Sequence, residues 1–166
     1  QSVNPTPTDE TDGLPMPRRI WAVISVGFAL CMSVLDVNII NIVLPTLSHD
    51  FGTSPAVTTW IINGYQLAIV VSLLSFSALG EIIGYRKVYL SGIGLFCITS
   101  LICALSDSFW TLTIARIFQG FSASAITSVN TAQLRYIYPK SQLGRGMGIN
   151  AMVVAISAAA GPAVAS

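Results

Sequence analysis

Residues 56–80 read AVTTWIINGYQLAIVVSLLSFSALG, with no charged side chain anywhere in the run. A helix crosses roughly 30 Å of hydrocarbon with about 20 apolar residues at 1.5 Å each, so this stretch is long enough to span a bilayer. It shows none of the alternation of a half-lipid-facing strand, which disfavours a membrane β-barrel. Working outward, four more apolar stretches appear: about 20–44, interrupted by Asp36; 88–105, uncharged; 109–134, with Arg116 as its one charge; and 144–166. The expected class is an all-α integral membrane protein of five transmembrane helices.

Composition agrees. Only 9% of the 166 residues are charged and 53% are hydrophobic, against about 25% charged in soluble domains. There is too little charge to cover a soluble surface. A net charge of +1 gives no electrostatic basis for a nucleic-acid partner. Cys31, Cys97 and Cys103 lie in apolar runs without CxxC spacing, and His49 stands alone, so no metal or cofactor site is expected.

The connections are short. Residues 1–19 hold four of the eight prolines together with Asp9, Glu10 and Asp12, and are expected to form a disordered tail rather than a signal peptide. Leu44-Pro45 is expected to end the first helix. Ser54 or Thr53 caps the second. Glu81–Lys87 and Ser106–Ser108 join neighbouring helices, and Tyr138-Pro139-Lys140 separates the fourth from the fifth. Arg18, Arg19, Arg86, Lys87, Arg135, Lys140 and Arg145 all fall at one end, with His49, Asp50 and Asp107 at the other. The basic end is the expected cytoplasmic one. That places the N-terminus in the cytoplasm and the chain in a bacterial-type inner membrane, as a multi-pass protein. The chain starts without Met and stops inside an apolar run, so it is expected to be the N-terminal piece of a longer protein.

Asp36 and Arg116 are the two charges inside spans, and charge at membrane depth is costly and marks function. Counting along antiparallel helices places both at a similar depth, near Asn63 and Gln66 of the second helix. Gln119 follows Arg116 at i+3, and Asn38 and Asn41 share a face of the first helix. The expectation is one polar layer across three helices, lining a substrate cavity. Desolvation favours the neutral acid and a guanidinium favours the carboxylate, so Asp36 is the natural proton carrier. The fifth stretch carries small residues at Gly144, Gly148, Ala151, Ala155, Ala158 and Ala159, spacing that allows close helix approach. GRGMG at 144–148 lacks the strand and Lys-Ser/Thr of a phosphate loop.

Four segments in order resemble the major facilitator superfamily, and within it the 14-helix branch of drug:proton antiporters. They are Leu35–Pro45 in the first helix, Ser77–Lys87 at the second connection, Leu112–Gly120 in the fourth helix, and Gly148, Ser157, Gly161 and Pro162 in the fifth. Ser77 and Glu81 stand where the loop motif usually has Gly and Asp, and Ser157 replaces a Gly of the antiporter motif. The resemblance implies the N-terminal half of a major facilitator fold. It implies proton coupling through Asp36 and Arg116, and a gating loop at Gly80, Glu81, Gly84, Arg86 and Lys87. It further implies export of lipophilic, preferentially cationic drugs driven by the proton gradient. The partners would then be small lipophilic substrates, protons, lipid and the missing C-terminal half. An exporter of a single metabolite or siderophore, or a truncated non-transporting fragment, are the alternatives.

Overall fold

A computed structural model of the chain describes residues 15–138 and 140–165. Among these residues it contains five long α-helices: α1 (Met16–Asp50), α2 (Pro55–Ile83), α3 (Tyr85–Ala104), α4 (Phe109–Ile137) and α5 (Leu143–Ala165), with a short 3-10 turn at Lys140–Gln142. They run up and down, joined by tight turns. α1, α2, α3 and α5 are long and apolar enough to cross a membrane. α4 is equally long at 29 residues but more polar, because it is the centre of the bundle. It packs against both α2 and α3, while α1 packs mainly on α5. Its Arg116, Gln119, Ser122, Ser124 and Asn130 are buried among its neighbours instead of facing lipid.

Glycines set these distances. A Cβ at Gly120 would lie 2.5 Å from the Tyr65 carbonyl oxygen, and one at Gly92 would lie 3.1 Å from the Ala125 Cβ. Small residues therefore let α2 and α3 close on either side of α4. Large apolar residues such as Trp21, Phe28, Val70, Leu74, Ile98 and Leu101 form the exposed rind, as befits a surface solvated by lipid.

Several boundaries differ from expectation. α1 starts at Met16 rather than near residue 20, with Pro15 as N-cap and Pro17 in the first turn. Prolines counted as tail residues are helix starters, since their missing N–H is unpaired there anyway. Residues 1–14 of the expected tail lie outside the described residues. Pro45 does not end α1 but sits inside it. A proline inside a helix removes one backbone hydrogen bond and kinks or breaks the helix, and α1 carries Pro45 five residues before its end at Asp50. At 35 residues, α1 is about 52 Å long, so its ends project past the hydrocarbon.

The expected loop at 81–87 shrinks to one residue. α2 continues to Ile83, α3 begins at Tyr85, and Gly84 turns the chain with φ +99° and ψ 131° while donating its N–H to the Gly80 carbonyl. Ser54, of the two expected caps, accepts from the Val57 N–H at 3.4 Å. Tyr89 and Tyr138 are buried. The Tyr89 hydroxyl donates to the Ser25 carbonyl at 3.0 Å, and the Tyr138 ring lies 5.8 Å from the Arg19 guanidinium.

Candidate functional site

α1 and α4 each bring one charge to the middle of the bundle, and the two meet. Arg116 Nη1 donates to Asp36 Oδ2 at 2.6 Å and to Gln119 Oε1 at 2.7 Å. Gln119 Nε2 donates in turn to Asp36 Oδ1 at 3.2 Å and to Ser100 Oγ of α3 at 2.7 Å. The Cys103 thiol points at Gln119 Oε1 from 3.6 Å. On the other side, Arg116 Cζ lies 4.8 Å from the centre of the Tyr65 ring, contributed by α2. Four helices thus supply one polar cluster. Gly120, one turn beyond Arg116, permits the α2–α4 approach that puts Tyr65 under the guanidinium.

Exposure divides the roles. The Arg116 side chain is 3% exposed and that of Asp36 is 22% exposed, while Gln119 is fully enclosed. Arg116 holds Asp36 by one nitrogen; its Nε and Nη2 are buried without a hydrogen-bond partner among the described residues. A buried guanidinium needs its counter-charge, because an unpaired ion in the interior costs several kcal/mol. Stacking on Tyr65 adds a cation–π contribution of order 1–2 kcal/mol. Asp36 accepts these two hydrogen bonds, leaving part of a carboxylate's acceptor capacity unused.

That remaining edge faces a cavity of about 490 Å³ between α1, α3 and α4. The cavity runs from Asp36, Arg116 and Cys103 past Ile39, Val43, Leu47 and Leu112 to Phe51 and Ser106. Its walls are aliphatic, and its polar groups gather at the deep end. A carboxylate there can take up or release a proton or a small cation beside a counter-charge that stays fixed. Among the described residues no cluster of His, Cys, Asp or Glu could hold a metal ion.

The other expected site residues do not join this cluster. Asn63 and Gln66 are exposed on α2, and the residue that α2 turns toward Arg116 is Tyr65. The layer therefore runs through α1, α3 and α4, with an aromatic rather than an amide from α2. Asn38 and Asn41 donate to the Val34 and Val37 carbonyls of their own helix at 2.8 and 2.9 Å. Gln119, expected to line a substrate cavity, is a buried bridge. Tyr65, Ser100 and Cys103 were not expected in the cluster. The periodicity of Ile61, Tyr65, Ala68 and Ser72, all buried on α2, was the signal for Tyr65.

Gly80 is buried against the Tyr85 ring, whereas Glu81, Gly84, Arg86 and Lys87 are exposed and form no ion pair among the described residues. On α5, Ser157 is buried and donates to the Val153 carbonyl at 2.7 Å, while Gly148 is exposed. Nine residues at 3.6 per turn put these two on opposite faces. The α1-facing side of α5 carries Gly146, Ile149, Asn150 and Val153, and the small-residue stripe from Gly148 to Ala159 looks away from it. Gly161 and Pro162 belong to the last turns of α5.

Comparison with known proteins places this geometry. The chain is 51% identical over 160 residues to "Uncharacterized transporter YebQ" of Escherichia coli (strain K12), covering 96% of this chain and 35% of that protein. It is 33% identical over 159 residues to the "Tetracenomycin C resistance and export protein" of Streptomyces glaucescens, covering 96% of this chain and 29% of that protein. It is 32% identical over 148 residues to "Riboflavin transporter RibZ" of Clostridioides difficile (strain 630), covering 89% and 32%. The chain thus spans about a third of the length of these curated relatives. A family profile described as Major Facilitator Superfamily matches residues 26–166, the stretch that carries every helix around the Asp36–Arg116 pair, and the chain belongs to that superfamily.

Proposed function

We propose that this chain is the N-terminal part of a proton-coupled exporter of lipophilic small molecules, with Asp36 as the proton-carrying group. The observation that supports the reading best is the Asp36–Arg116 pair, one hydrogen bond of 2.6 Å between two spans, at the end of a cavity to which the carboxylate is the more exposed partner. A group that alternately binds and releases a proton must be accessible and must have a neighbour that tolerates both states. Asp36 has the cavity; Arg116 has Gln119 and Tyr65 as partners that do not depend on the charge of Asp36. Asp36 is also the acidic residue of the buried polar cluster, which favours lipophilic cations as cargo.

The chain is a multi-pass membrane protein and not an enzyme, its family being one of membrane transporters. In the proposed topology the end bearing Arg18, Arg19, Arg86, Lys87, Arg135, Lys140 and Arg145 faces the cytoplasm, together with the N-terminus. Gly80, Glu81, Gly84, Arg86 and Lys87 then form a cytoplasmic elbow for gating. The helices corresponding to the remaining two thirds of the relatives supply the second wall of the transport path. Export of a single metabolite is the second reading, supported by the likeness to a riboflavin transporter at 32% identity, close to the 33% shared with the export protein.

The test is dye efflux driven by an imposed pH gradient in inverted vesicles, using the full-length protein. Asp36→Asn keeps size and removes the titration, and is expected to abolish gradient-driven efflux while the protein still inserts. Efflux at the wild-type rate would remove Asp36 from proton coupling.

A further inference from the structure

We infer that the corner where α1 and α5 begin binds the headgroup of an anionic phospholipid, through the guanidinium groups of Arg18 and Arg145 beside Arg19. One chain of contacts builds this corner. Arg19 of α1 donates from Nη1 to Gln142 Oε1 at 3.1 Å, and its Cζ lies 5.8 Å from the centre of the Tyr138 ring. Gln142 precedes Arg145 by three residues, less than one helical turn, so the start of α5 sits beside the start of α1. Gly146 fixes the arrangement from the other side, because a Cβ there would lie 2.5 Å from the Tyr138 ring. The ring is held between the guanidinium of α1 and the backbone of α5.

Three guanidinium groups gathered at one corner repel one another, and the described residues do not balance them. The ion pairs among those residues are His49–Asp50, at the opposite end of α1, and Asp36–Arg116, about 25 Å further along α1 than Arg19. The first turns of α1 and α5 hold no acidic residue. Glu81, the one acidic residue described at this end, belongs to the last turn of α2, beside Arg86 and Lys87 of the elbow. Arg19 Nε is buried without a hydrogen-bond partner among the described residues, whereas Arg18 and Arg145 are exposed. Arginine meets a phosphate with two parallel N–H bonds, so the missing charge fits a phosphate group. The rest of the ligand follows from the surface below it. Ile20, Trp21 and Ile24 of α1 are 55%, 74% and 54% exposed, and Met152 and Ile156 of α5 are 58% and 60% exposed. Seven and eleven residues after Arg145, the last two share its face of the helix. Tryptophan favours the headgroup level of a bilayer. An anionic head above an apolar wall is met by a phospholipid, while a free phosphate would leave the wall uncovered.

The experiment is native mass spectrometry of the full-length protein, delipidated and then titrated with phosphatidylglycerol and phosphatidylethanolamine of identical acyl chains. One phosphatidylglycerol is expected to be retained at least fivefold over phosphatidylethanolamine, a preference that falls as salt rises. Arg18→Gln combined with Arg145→Gln should remove the preference, and each single change should lower it. Arg18→Lys with Arg145→Lys should keep most of it, because the charge remains. Arg86→Gln with Lys87→Gln, which removes two charges at the elbow, should leave it unchanged. Equal retention of the two lipids, or an equal loss in the elbow variant, would overturn the proposal. So would a phosphatidylglycerol site that appears only when Asp9, Glu10 and Asp12 are changed to amides, since the chain's own acidic residues would then occupy the corner. No transport is measured, so failure here leaves the efflux reading untouched, and failure of efflux leaves the lipid site standing.

Discussion

Gly120→Ala is the smallest change that tests how the site is assembled. The added Cβ would lie 2.5 Å from the Tyr65 carbonyl oxygen and 2.9 Å from the Ala68 Cβ. Ordinary contact begins near 3.4 Å, so α2 and α4 must separate by roughly 0.9 Å. The obstacle is helix backbone rather than the end of a flexible side chain, so it cannot swing aside. Overpacking of this kind costs about 1–3 kcal/mol, and the rigidity of the obstacle puts this case at the upper end. The separation also lifts Arg116 off the Tyr65 ring, now at 4.8 Å. A matched control exists in Gly94 of α3, which has nothing within 4 Å of its Cβ position. There Gly→Ala should be neutral or stabilise by up to about 1 kcal/mol through backbone entropy. The assay is unfolding of the purified protein in bicelles by heat and by SDS. Gly120→Ala should unfold far earlier than wild type and Gly94→Ala no earlier. If the two variants agree within about 0.5 kcal/mol, the close α2–α4 contact is wrong, and the placement of Tyr65 under Arg116 falls with it.

Three further outcomes are expected. Gly84→Val forces a β-branched residue to φ +99°, at a cost of about 1–3 kcal/mol, and should lower both thermal stability and efflux in proteoliposomes with insertion retained; unchanged values would show that the elbow relaxes freely. Arg116→Lys replaces a flat fork by a point charge that cannot hold Asp36 and Gln119 together while stacking on Tyr65, so gradient-driven efflux should fall at least tenfold; wild-type rates would mean that only the charge matters. Cysteines at Asp50 and Asp107 should react with an impermeant maleimide from outside intact cells and one at Glu81 only after permeabilisation; the reverse pattern would invert the topology.

Much of the helix content was legible because hydrophobicity over 20 residues answers one question, whether lipid can solvate the segment. Helix ends were less legible. Pro15 and Pro17 read as tail and Pro45 as a terminator, yet a proline is welcome in a first turn and can be carried inside a helix at the loss of one backbone bond. The seven-residue loop at 81–87 collapsed to Gly84 because one glycine at φ +99° can reverse the chain. At the site, counting residues along antiparallel helices put Asp36 and Arg116 at one depth, and they share a hydrogen bond. The same count selected Asn63 and Gln66, which face outward. Rise per residue fixes depth but not direction around the helix axis. Direction was encoded in the packing stripe Ile61, Tyr65, Ala68 and Ser72, which polarity alone hides.

The cluster's arrangement also explains how a charge pair is held between two helices by few hydrogen bonds. Arg116 spends one nitrogen on two acceptors, Asp36 Oδ2 at 2.6 Å and Gln119 Oε1 at 2.7 Å. When Asp36 is neutral, that nitrogen keeps the Gln119 carbonyl, and the guanidinium keeps the Tyr65 ring. When Asp36 is charged, Gln119 turns its amide to the carboxylate while its carbonyl stays on Arg116. Gln119 is itself anchored to Ser100 on α3, so the bridge does not drift as Asp36 changes. A direct two-nitrogen fork between Arg116 and Asp36 would hold the charged state more tightly and leave the guanidinium with nothing after protonation. Sharing one nitrogen through an amide weakens the pair and narrows the gap between its two states. In the proposed function Asp36 is loaded and unloaded in every cycle, and a narrow gap suits that role.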